Sequence, residues 1–284
     1  MKKINNLISI VIVAFHSEKV ILKLLDSISN DFKILITDNS LDNNFKKKFE
    51  QKYSNVEIII PEYNLGNGGG VNFALKKVKT KYAMYLDVDT NIDANTLKKL
   101  LLIAENQKNW AVLAPNINNY TYKKKCYIKK EDEELFSMNF VEGCALLFNI
   151  NEIENIGYYD ENYFLYYEEN DMYFKYIKYN KKILLAKNLY IDHIGNSSTD
   201  KKHFDEIELN RNWHLMWSKF YYYKKNYSYF AGLKKTIKNF ISAAIKMTIF
   251  FLINKKKYYK YKNRFSGLLN SYLNKNSWKR PNIK

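Results

Sequence analysis

The stretch LISIVIVA, residues 7–14, decides the class of fold. It is a run of apolar and β-branched residues, which is typical of a strand buried on both faces of a parallel sheet. Four more short runs follow: KILIT at 33–37, VEIII at 56–60, YAMYL at 82–86 and WAVLA at 110–114. Helical patterns lie between the runs, at residues 18–27, 45–53, 71–79 and 95–107. This alternation predicts an α/β fold with a doubly wound, mostly parallel, Rossmann-like sheet that binds ligands at the carboxyl ends of its strands.

The alternation weakens after about residue 115. Residues 121–134 are polar and predict a loop or an edge hairpin, and MNFVEGCALLFN at 138–149 has the pattern of a strand. A helix beginning at the acidic residues 168–171, a strand at 182–186 and an aromatic helix at 204–225 complete the predicted elements. With 284 residues and 46% hydrophobic content, the chain is large enough to bury a sizeable core.

The positive charge is concentrated at the end of the sequence. Of the 46 Lys and Arg residues, 17 fall in residues 219–284, which contain no Asp or Glu, and the other 29 match the 29 acidic residues. Such a tail binds anionic lipid, nucleic acid or an acidic partner, or only aids solubility. The apolar run FISAAIKMTIFFLI at 240–253, flanked by lysines, favours lipid. Because it is shorter than the roughly 20 residues that cross a bilayer, it predicts a helix lying in the membrane interface.

The first residues, MKKINNLISIVIVAF, have the basic head and apolar core of a signal peptide. No small-residue cleavage site follows them, so we interpret the segment as a buried first strand and expect a cytoplasmic protein. Cys126 and Cys144 show no metal-ligand or redox spacing, which agrees with a reducing compartment.

Two aspartates, Asp87 and Asp89, directly follow the predicted strand at 82–86. Residues two apart project to the same side of an extended chain. Two such carboxylates form an oxygen site suited to Mg²⁺ or Mn²⁺ bridging a diphosphate. A turn in which an Asp only caps the chain is the structural alternative.

The segment NLGNGGG, residues 64–70, is a glycine-rich turn that opens a helix. Glycines let the backbone approach a ligand closely, and a helix start offers free N–H groups to phosphate. Val71 stands where a dinucleotide fingerprint needs its third glycine, and no Gly-Lys-Ser/Thr follows, so neither the fingerprint nor a P-loop is present. A tight structural turn remains the alternative.

Three acidic residues, Glu168, Glu169 and Asp171, lie at the start of a predicted helix. They are candidates for a general base that takes a proton from an acceptor hydroxyl, or for residues that only stabilise the helix N-terminus. His193, in IDHIG, is a candidate metal ligand or a structural hydrogen-bonding residue.

Taken in this order, the segments resemble family 2 glycosyltransferases, in particular the rhamnosyltransferase-like branch of bacterial polysaccharide assembly. The matching segments are VIVAF (11–15), TDNS (37–40), NLGNGGGVN (64–72), LDVDT (86–90), VEGCALLF (141–148), GYYDENYFLYYEEND (157–171) and HIGNSS (193–198). The resemblance covers about residues 7–225 and implies a GT-A fold, a divalent metal, Mg²⁺ or Mn²⁺, and inversion at the anomeric carbon. Seven segments in order are far more specific than any one of them.

The resemblance also implies roles for individual residues. Val13, Phe15 and Asp38 are expected to contact the base and ribose of the donor. Asn64, Gly66 and Asn72 are expected to lie along the donor. Asp87 is expected to face the ribose or the metal. Asp89 and His193 are expected to hold the metal and diphosphate.

This sequence departs from the family pattern at two places. The family's base is usually the Asp of a Glu-Asp pair, and Glu169 stands at that position, so the choice among Glu168, Glu169 and Asp171 stays open with Glu169 preferred. LDVDT lacks the Asn and Pro that are common in the rhamnosyltransferase-like branch, which weakens the inference of a dTDP-rhamnose donor. WHLMWSKFYYYKKN at 213–226 resembles the aromatic C-terminal helix of that branch.

We therefore predict an inverting glycosyltransferase that uses dTDP-rhamnose or a UDP-sugar. The acceptor is expected to be a hydroxyl of a lipid-linked or growing bacterial surface glycan, such as capsule, O-antigen or lipooligosaccharide. Residues 1–225 form the predicted catalytic domain. Residues 226–284 form a basic, amphipathic helical extension that associates with the inner face of the cell membrane, without a nucleic-acid partner.

Three alternatives remain from the sequence. A sugar nucleotidyltransferase shares the sheet and the metal, but its glycine-rich loop with Arg and Lys is missing where VIVAFHSEK stands. A degenerate transferase would bind nucleotide sugar without turnover. A nucleic-acid-binding protein would use the basic tail with Tyr and Trp side chains for stacking.

Overall fold

The computed structural model describes residues 6–28, 30, 32–195 and 203–283. The start of the basic head (residues 1–5) and residues 196–198 of HIGNSS lie outside these. The described chain divides into two compact units. The first comprises the described residues up to Leu65, Gly70–Tyr159 and 172–195, and the second comprises Gly66–Gly69, Asp160–Asp171 and 203–283. The predicted division at residue 225 stays a prediction.

The first unit contains a ten-stranded sheet. Its strands are β1 Ile8–Ala14, β2 Lys33–Asp38, β3 Val56–Ile59, β4 Tyr82–Leu86, β5 Thr90–Asn91, β6 Trp110–Ile117, β7 Tyr127–Lys130, β8 Leu135–Met138, β9 Ala145–Asn149 and β10 Lys182–His193. The order across the sheet is β3-β2-β1-β4-β9-β6-β10-β8-β7, and β5 pairs with β10.

The sheet is parallel in its first half and mixed in its second. Strands β3, β2, β1 and β4 run parallel to one another, and β6 runs parallel to β10. Strand β9 is antiparallel to both β4 and β6, and β7 with β8 forms an antiparallel hairpin at the edge. The predicted edge hairpin near residues 121–134 is thereby confirmed, and the strand-like stretch at 138–149 forms the end of β8, a connection and β9.

The run that defines β1 is apolar because both faces of the sheet are covered. Ile8, Ile10 and Ile12 point into one hydrophobic cluster, whereas Val11 points into a second. Successive side chains of a strand point to opposite faces, so a strand between two packed layers needs apolar residues at almost every position.

Helices connect the parallel strands. They are α1 Glu18–Ser27, α2 Asn43–Lys52, α3 Gly66–Leu75, α4 Ala94–Glu105 and α5 Ile150–Ile153. The side chain of Asp93 caps α4 by accepting hydrogen bonds from the N–H groups of Asn95 and Thr96 at 2.8 and 2.9 Å. Helix α6, Glu168–Lys178, precedes β10. The alternating β and α units predicted from the sequence are confirmed.

The second unit contains the helices α7 Phe204–Asn226, α8 Tyr229–Ile253 and α9 Lys255–Tyr272. They pack closely at glycines: a Cβ on Gly267 would lie 2.3 Å from the carbonyl oxygen of Trp213, and one on Gly232 would lie 2.8 Å from the Phe220 ring. The Trp213 indole also donates a hydrogen bond to Ser266 Oγ at 3.1 Å. These contacts fix α8 and α9 against α7.

Helix α8 corrects the length predicted for the apolar tail segment. The predicted interface helix covered residues 240–253, but the helix begins at Tyr229 and has 25 residues. Among the described residues it is one helix whose length and composition suffice to cross a membrane. Ser228 explains the earlier start, because its side chain caps the helix by accepting a hydrogen bond from the N–H of Ala231. Length alone therefore does not separate an interfacial helix from a spanning one.

Candidate active site

The two aspartates Asp87 and Asp89 lie in a turn at the carboxyl end of β4. The Asp87 N–H donates to the Cys144 carbonyl at 2.8 Å, and the Asp87 carbonyl accepts from the Thr90 N–H at 3.1 Å. The Tyr85 hydroxyl donates to Asp87 Oδ1. The Asp89 side chain is buried, whereas that of Asp87 is partly exposed. The turn thus presents two carboxylates in different surroundings.

His193 reaches these aspartates through the short pairing of β5 with β10. Thr90 pairs with His193 in antiparallel register, and the N–H of Ile194 donates to the Asp89 carbonyl at 3.1 Å. His193 Nε2 lies 3.4 Å from Asp89 Oδ1 and 3.8 Å from Asp87 Oδ2. We call Asp87, Asp89 and His193 the carboxylate–histidine cluster.

The cluster fits a divalent cation. One ligand atom from each of its three residues lies within 4.8 Å of the others. Two ligands bound at about 2.1 Å to one octahedral ion lie about 3–4 Å apart, which is the separation seen from the imidazole to each carboxylate. The two carboxylates are oxygen ligands of the type that suits Mg²⁺ or Mn²⁺, and the imidazole adds a nitrogen ligand of the type that transition metals bind.

The protonation of His193 is coupled to the same carboxylates. A hydrogen bond with Asp89 raises the pKa of His193, and the charge of Asp87 adds to this effect although burial opposes it. An imidazole must be neutral at the bonding nitrogen to bind a metal, so a cation at this cluster displaces a proton.

The residues expected at the base and ribose lie at the carboxyl ends of neighbouring strands. Asp38 ends β2 and pairs in register with Ala14, the last residue of β1, and the half-buried Phe15 follows directly. Asp38 is buried and accepts hydrogen bonds from the N–H groups of Ser40 at 3.0 Å and Asp42 at 2.9 Å. These hydrogen bonds show that the Asp38 carboxylate stabilises the loop at residues 38–42. The predicted contact of Asp38 with the ribose stays a prediction.

The glycine-rich segment is helical from Gly66 onward, so it forms the first turns of α3 and not, as predicted, a turn before the helix. Gly66 has a φ of +75°, and a Cβ there would lie 2.2 Å from the carbonyl oxygen of Phe164, so only glycine fits. A Cβ on Gly70 would lie 2.9 Å from the half-buried Val13. The close approach at both glycines is to protein atoms, which supports the structural alternative for these two positions.

The two asparagines of this segment differ in their surroundings. The Asn72 side chain is buried and bridges the backbone of Tyr159, donating to its carbonyl at 2.9 Å and accepting from its N–H at 3.0 Å. Asn64 is only partly buried at the turn. The predicted positions of Asn64, Gly66 and Asn72 along the donor stay predictions.

The three candidate bases at the start of α6 differ sharply in burial. Glu168 is buried and lies near Asn67, whose side-chain amide is 3.4 Å from Glu168 Oε1. Glu169 is half-buried. The two residues before the helix, Tyr166 and Tyr167, have φ values of 68° and 67°, a left-handed conformation that is costly for bulky side chains. Strain of this kind clusters at functional sites.

Asp171 is neutralised by a lysine of the same unit. Its Oδ2 lies 2.6 Å from Lys225 Nζ, and its Oδ1 accepts from Asn226 at 2.7 Å and lies 3.4 Å from the Tyr163 hydroxyl. Lys225 also contacts Asp160 at 2.7 Å. We call Asp160, Asp171, Lys225 and Asn226 the lysine-bridged network.

The network shifts the pKa values of Lys225 and Asp160 toward the charged forms. Burial lowers the pKa of Lys225, but hydrogen bonds to Asp160 and Asp171 outweigh it and raise the pKa overall. Burial likewise raises the pKa of Asp160, and its bonds with Lys225 reverse the direction. The carboxylate of Asp160 is therefore a poor proton acceptor.

Sequence reasoning missed the partners of the predicted residues. Tyr85 precedes Asp87 by two positions in a strand, a spacing that places both side chains on one face and was a usable signal. Lys225 is 54 residues from Asp171, and no spacing in the sequence links the two.

A family model described as glycosyl transferase family 2 matches residues 9–207. The low-salt glycan biosynthesis hexosyltransferase Agl10 of Haloferax volcanii is 22% identical over 219 residues, 70% of this chain and 70% of that protein.

Two solved structures are similar in fold. The mannosyltransferase PcManGT from Pyrobaculum calidifontis, in complex with GDP-Man and Mn²⁺, has a TM-score of 0.57 and 9% identity over 95% of this chain and 88% of that chain. S. aureus TarS 1-349, in complex with UDP-GlcNAc, has a TM-score of 0.54 and 16% identity over 94% and 92%. At these identities the two structures show the likeness of the fold.

Proposed function

The chain belongs to glycosyl transferase family 2, whose model matches more than half of its length, and on this premise we propose how it transfers a sugar. It is a glycosyltransferase, and the GT-A fold predicted from the sequence is confirmed. Its place in the rhamnosyltransferase-like branch stays a prediction. The observation that carries the proposal is the convergence of Asp87, Asp89 and His193 at the end of β4.

The proposed reaction is a single displacement with inversion. The oxygen of an acceptor hydroxyl attacks the anomeric carbon of the donor, a new C–O bond forms, and the bond to the diphosphate oxygen breaks. The acceptor proton goes to a carboxylate, and the nucleoside diphosphate leaves with the bonding electron pair. The chain's own residues must therefore accept one proton and hold one polyanion.

Asp87, Asp89 and His193 would hold Mg²⁺ or Mn²⁺, which supplies charge neutralisation for the diphosphate. The burial of Asp89 and the contacts of Asp87 with Tyr85 and Cys144 fix the two carboxylates before the donor arrives. This pre-positioning supports a binding role because the ligands need little rearrangement.

Glu169 is the proposed general base. Of the three acidic candidates, Asp171 is paired with Lys225 and Glu168 is buried, whereas Glu169 is half-buried and thus more accessible to an acceptor. Its position at the first turn of α6 holds the carboxylate on a regular element.

The donor is proposed to be dTDP-rhamnose or a UDP-sugar, and the acceptor a hydroxyl of a lipid-linked or growing bacterial surface glycan. Complexes of similar folds with UDP-GlcNAc and with GDP-Man support a nucleotide-sugar donor in general. The hexosyltransferase relative acts in glycan biosynthesis according to its name, which supports a glycan acceptor. A cytoplasmic location at the inner face of the membrane completes the proposal.

Thermal unfolding with nucleotide sugars tests the donor site. We expect one of UDP-GlcNAc, UDP-glucose, GDP-mannose or dTDP-rhamnose, with Mn²⁺, to raise Tm by about 5–10 °C at saturating concentration. Asp89→Asn should remove the metal-dependent part of this shift and abolish transfer. Asp192→Asn, which changes an exposed carboxylate on β10, is the matched control and should behave as the parent. An unchanged metal-dependent shift in Asp89→Asn would overturn the metal role.

Transfer assays test the base. Glu169→Gln should lower kcat per folded molecule by about 10²–10⁴-fold with donor binding unchanged, because the amide keeps the size of the side chain but cannot accept the proton. Glu168→Gln is the comparison, with a smaller expected effect on kcat. Full activity in Glu169→Gln would exclude it as the base, and binding without turnover in the parent protein would identify a degenerate transferase.

A further inference from the structure

Helix α8 presents a row of isoleucines to solvent. Ile237, Ile241, Ile245, Ile249 and Ile253 recur every four residues, and each is exposed by between 40 and 72%. Leu252, the most exposed large apolar residue of the helix at 89%, lies beside the row. We call the five isoleucines, without Leu252, the isoleucine row. A row of this length, about 24 Å, is unusual for a surface left in water.

The opposite side of α8 is already packed within its own unit. The Phe240 ring stacks on Phe265 with ring centres 4.6 Å apart, and Phe250 stacks on Tyr261 at 5.8 Å. The Thr236 hydroxyl lies 2.9 Å from the Tyr272 hydroxyl. Helix α9 thus occupies one side of α8, so the isoleucine row is a second, separate apolar face.

The charges around the row select its partner. At 100° per residue, the exposed Lys234 and Lys238 fall on the same side of α8 as the row, near its N-terminal end. The exposed Lys255, Lys256 and Lys257 follow its C-terminal end. Lys256 contacts Asp205 of α7 at 2.7 Å, but this pair is exposed and leaves the other lysines available. Because no Asp or Glu occurs after residue 218, the surface favours a partner that is both apolar and anionic.

The packing partners of α8 argue against a membrane-spanning position. Phe240, near the middle of the helix, stacks on Phe265, which is next to Arg264, and Lys246 lies over the ring of Tyr261, 5.2 Å from its centre. A spanning α8 would carry these cations into the hydrocarbon, at a cost of about 2.5–3.5 kcal/mol for each. A helix lying in the interface keeps them at headgroup level.

We propose that the isoleucine row and its lysines dock on the surface of an anionic lipid bilayer, with α8 parallel to the membrane plane. The isoleucines enter the boundary between headgroups and acyl chains, and the lysines contact anionic headgroups. This goes beyond the transfer reaction and does not depend on it, since protein without activity would dock equally well.

Vesicle co-sedimentation of the full chain tests the docking. We expect binding to phosphatidylcholine vesicles that contain about one-third phosphatidylglycerol, and binding at least about tenfold weaker to phosphatidylcholine alone. Ile245→Gln with Ile249→Gln should weaken anionic binding about tenfold or more, because Gln preserves helix propensity but removes apolar surface. Lys234→Gln, Lys238→Gln and Lys255→Gln together should have a similar effect and reduce the salt dependence.

Matched controls separate the surface from general effects. Leu102→Gln with Ile128→Gln changes two apolar residues of similar exposure, 55 and 58%, in the first unit. Lys123→Gln, Lys124→Gln and Lys125→Gln removes three exposed lysines there. Both controls should bind vesicles as the parent does, and every variant should keep the Tm shift that the parent shows with Mn²⁺ and its stabilising nucleotide sugar.

Three outcomes would overturn the proposal. The first is vesicle binding that is unaffected by the isoleucine changes. The second is a dimer that the isoleucine changes dissociate in analytical ultracentrifugation, since a second copy would then cover the row. The third is membrane-bound protein that resists extraction by alkaline carbonate, as a spanning helix would. Loss of vesicle binding with the nucleotide-sugar and Mn²⁺ shift intact leaves the proposed transfer reaction standing.

Discussion

The carboxylate–histidine cluster and the lysine-bridged network both gather two carboxylates around a nitrogen base, and they differ in that base. In the cluster the base is His193, 3.4 Å from Asp89, whose positive charge depends on pH. In the network the base is Lys225, 2.6 Å from Asp171, whose pKa is raised further by its partners. A histidine can release its proton in exchange for a metal, whereas a lysine holds its charge permanently. We therefore expect the carboxylate–histidine cluster to bind a metal ion and the lysine-bridged network to have a structural role.

Giving the cluster a permanent cation is the strongest way to break this comparison. His193→Lys should lower transfer by about a hundredfold or more and remove the Mn²⁺-dependent Tm shift, because an ammonium group takes the place of a metal ligand. Basal stability should stay near that of the parent, since the lysine can pair with Asp87 and Asp89. The measurements are transfer rate and thermal unfolding with and without Mn²⁺. A retained Mn²⁺ shift would show that His193 is not a ligand.

Removing the charge of Asp171 tests the structural side of the comparison. Asp171→Asn should lower the free energy of unfolding by about 1–3 kcal/mol, because the buried side chain at position 171 then loses its charged hydrogen bond with Lys225. Urea unfolding measures this loss, and kcat per folded molecule should change little. Asp205→Asn removes an exposed aspartate that contacts Lys256 at the same short range, and should leave stability unchanged. A collapse of kcat in stable Asp171→Asn protein would return Asp171 to the catalytic candidates.

A second histidine, His214, sharpens the contrast because its pKa is shifted in the opposite direction from that of His193. Burial lowers the pKa of His214 to about 3, against the raising effect of its bond to the Lys279 carbonyl. His214 Nε2 donates to that carbonyl at 2.8 Å, and Nδ1 accepts from Ser277 Oγ at 3.2 Å, so both bonds suit the neutral ring. Unlike His193, it faces no carboxylate in these contacts.

Acid sensitivity follows from this neutral ring. Between pH of about 6.5 and about 3, His214 is protonated in the unfolded chain but stays neutral in the folded protein. The free energy of unfolding therefore falls as the pH falls through this range. The contribution is at most about 1.4 kcal/mol per pH unit. His214→Gln should remove it, giving a shallower decline in urea unfolding experiments across this range. Equal slopes in parent and variant would contradict the assigned burial effect.

The first unit was more predictable from sequence than the second because its signals are local. Strands β1 to β4 and helix α1 follow from apolar runs and amphipathic periods that lie within a few residues of each other. Helix α3 was predicted to begin at residue 71, but begins at Gly66. Glycine has a poor helix propensity, so residues 66–70 carry no helical signal in the sequence.

Within the candidate site, the types of residue were predictable, but their partners were not. The pattern LDVDT and the lone His193 suggested a metal site, and the structure brings their side chains within 4.8 Å. In contrast, the pairing of Asp171 with Lys225 depends on tertiary packing across 54 residues of chain. The apolar run at 240–253 indicated a lipid partner, but the sequence did not separate the exposed isoleucines from the aromatic side that packs on α9, because apolar periodicity does not say what covers each face.

The two-residue strand β5 makes the spacing of the proposed ligands unusually sensitive to chain length. Thr90 pairs with His193 and Asn91 with Asp192, so this minimal ladder sets the imidazole beside the two carboxylates. Side chains alternate along a strand, and a single inserted or deleted residue near Asn91 or Asp192 would turn the imidazole to the other face of the sheet. We infer that natural relatives tolerate substitutions around this ladder more readily than changes in its length. Insertions and deletions near it should therefore mark lineages in which the chemistry has been lost.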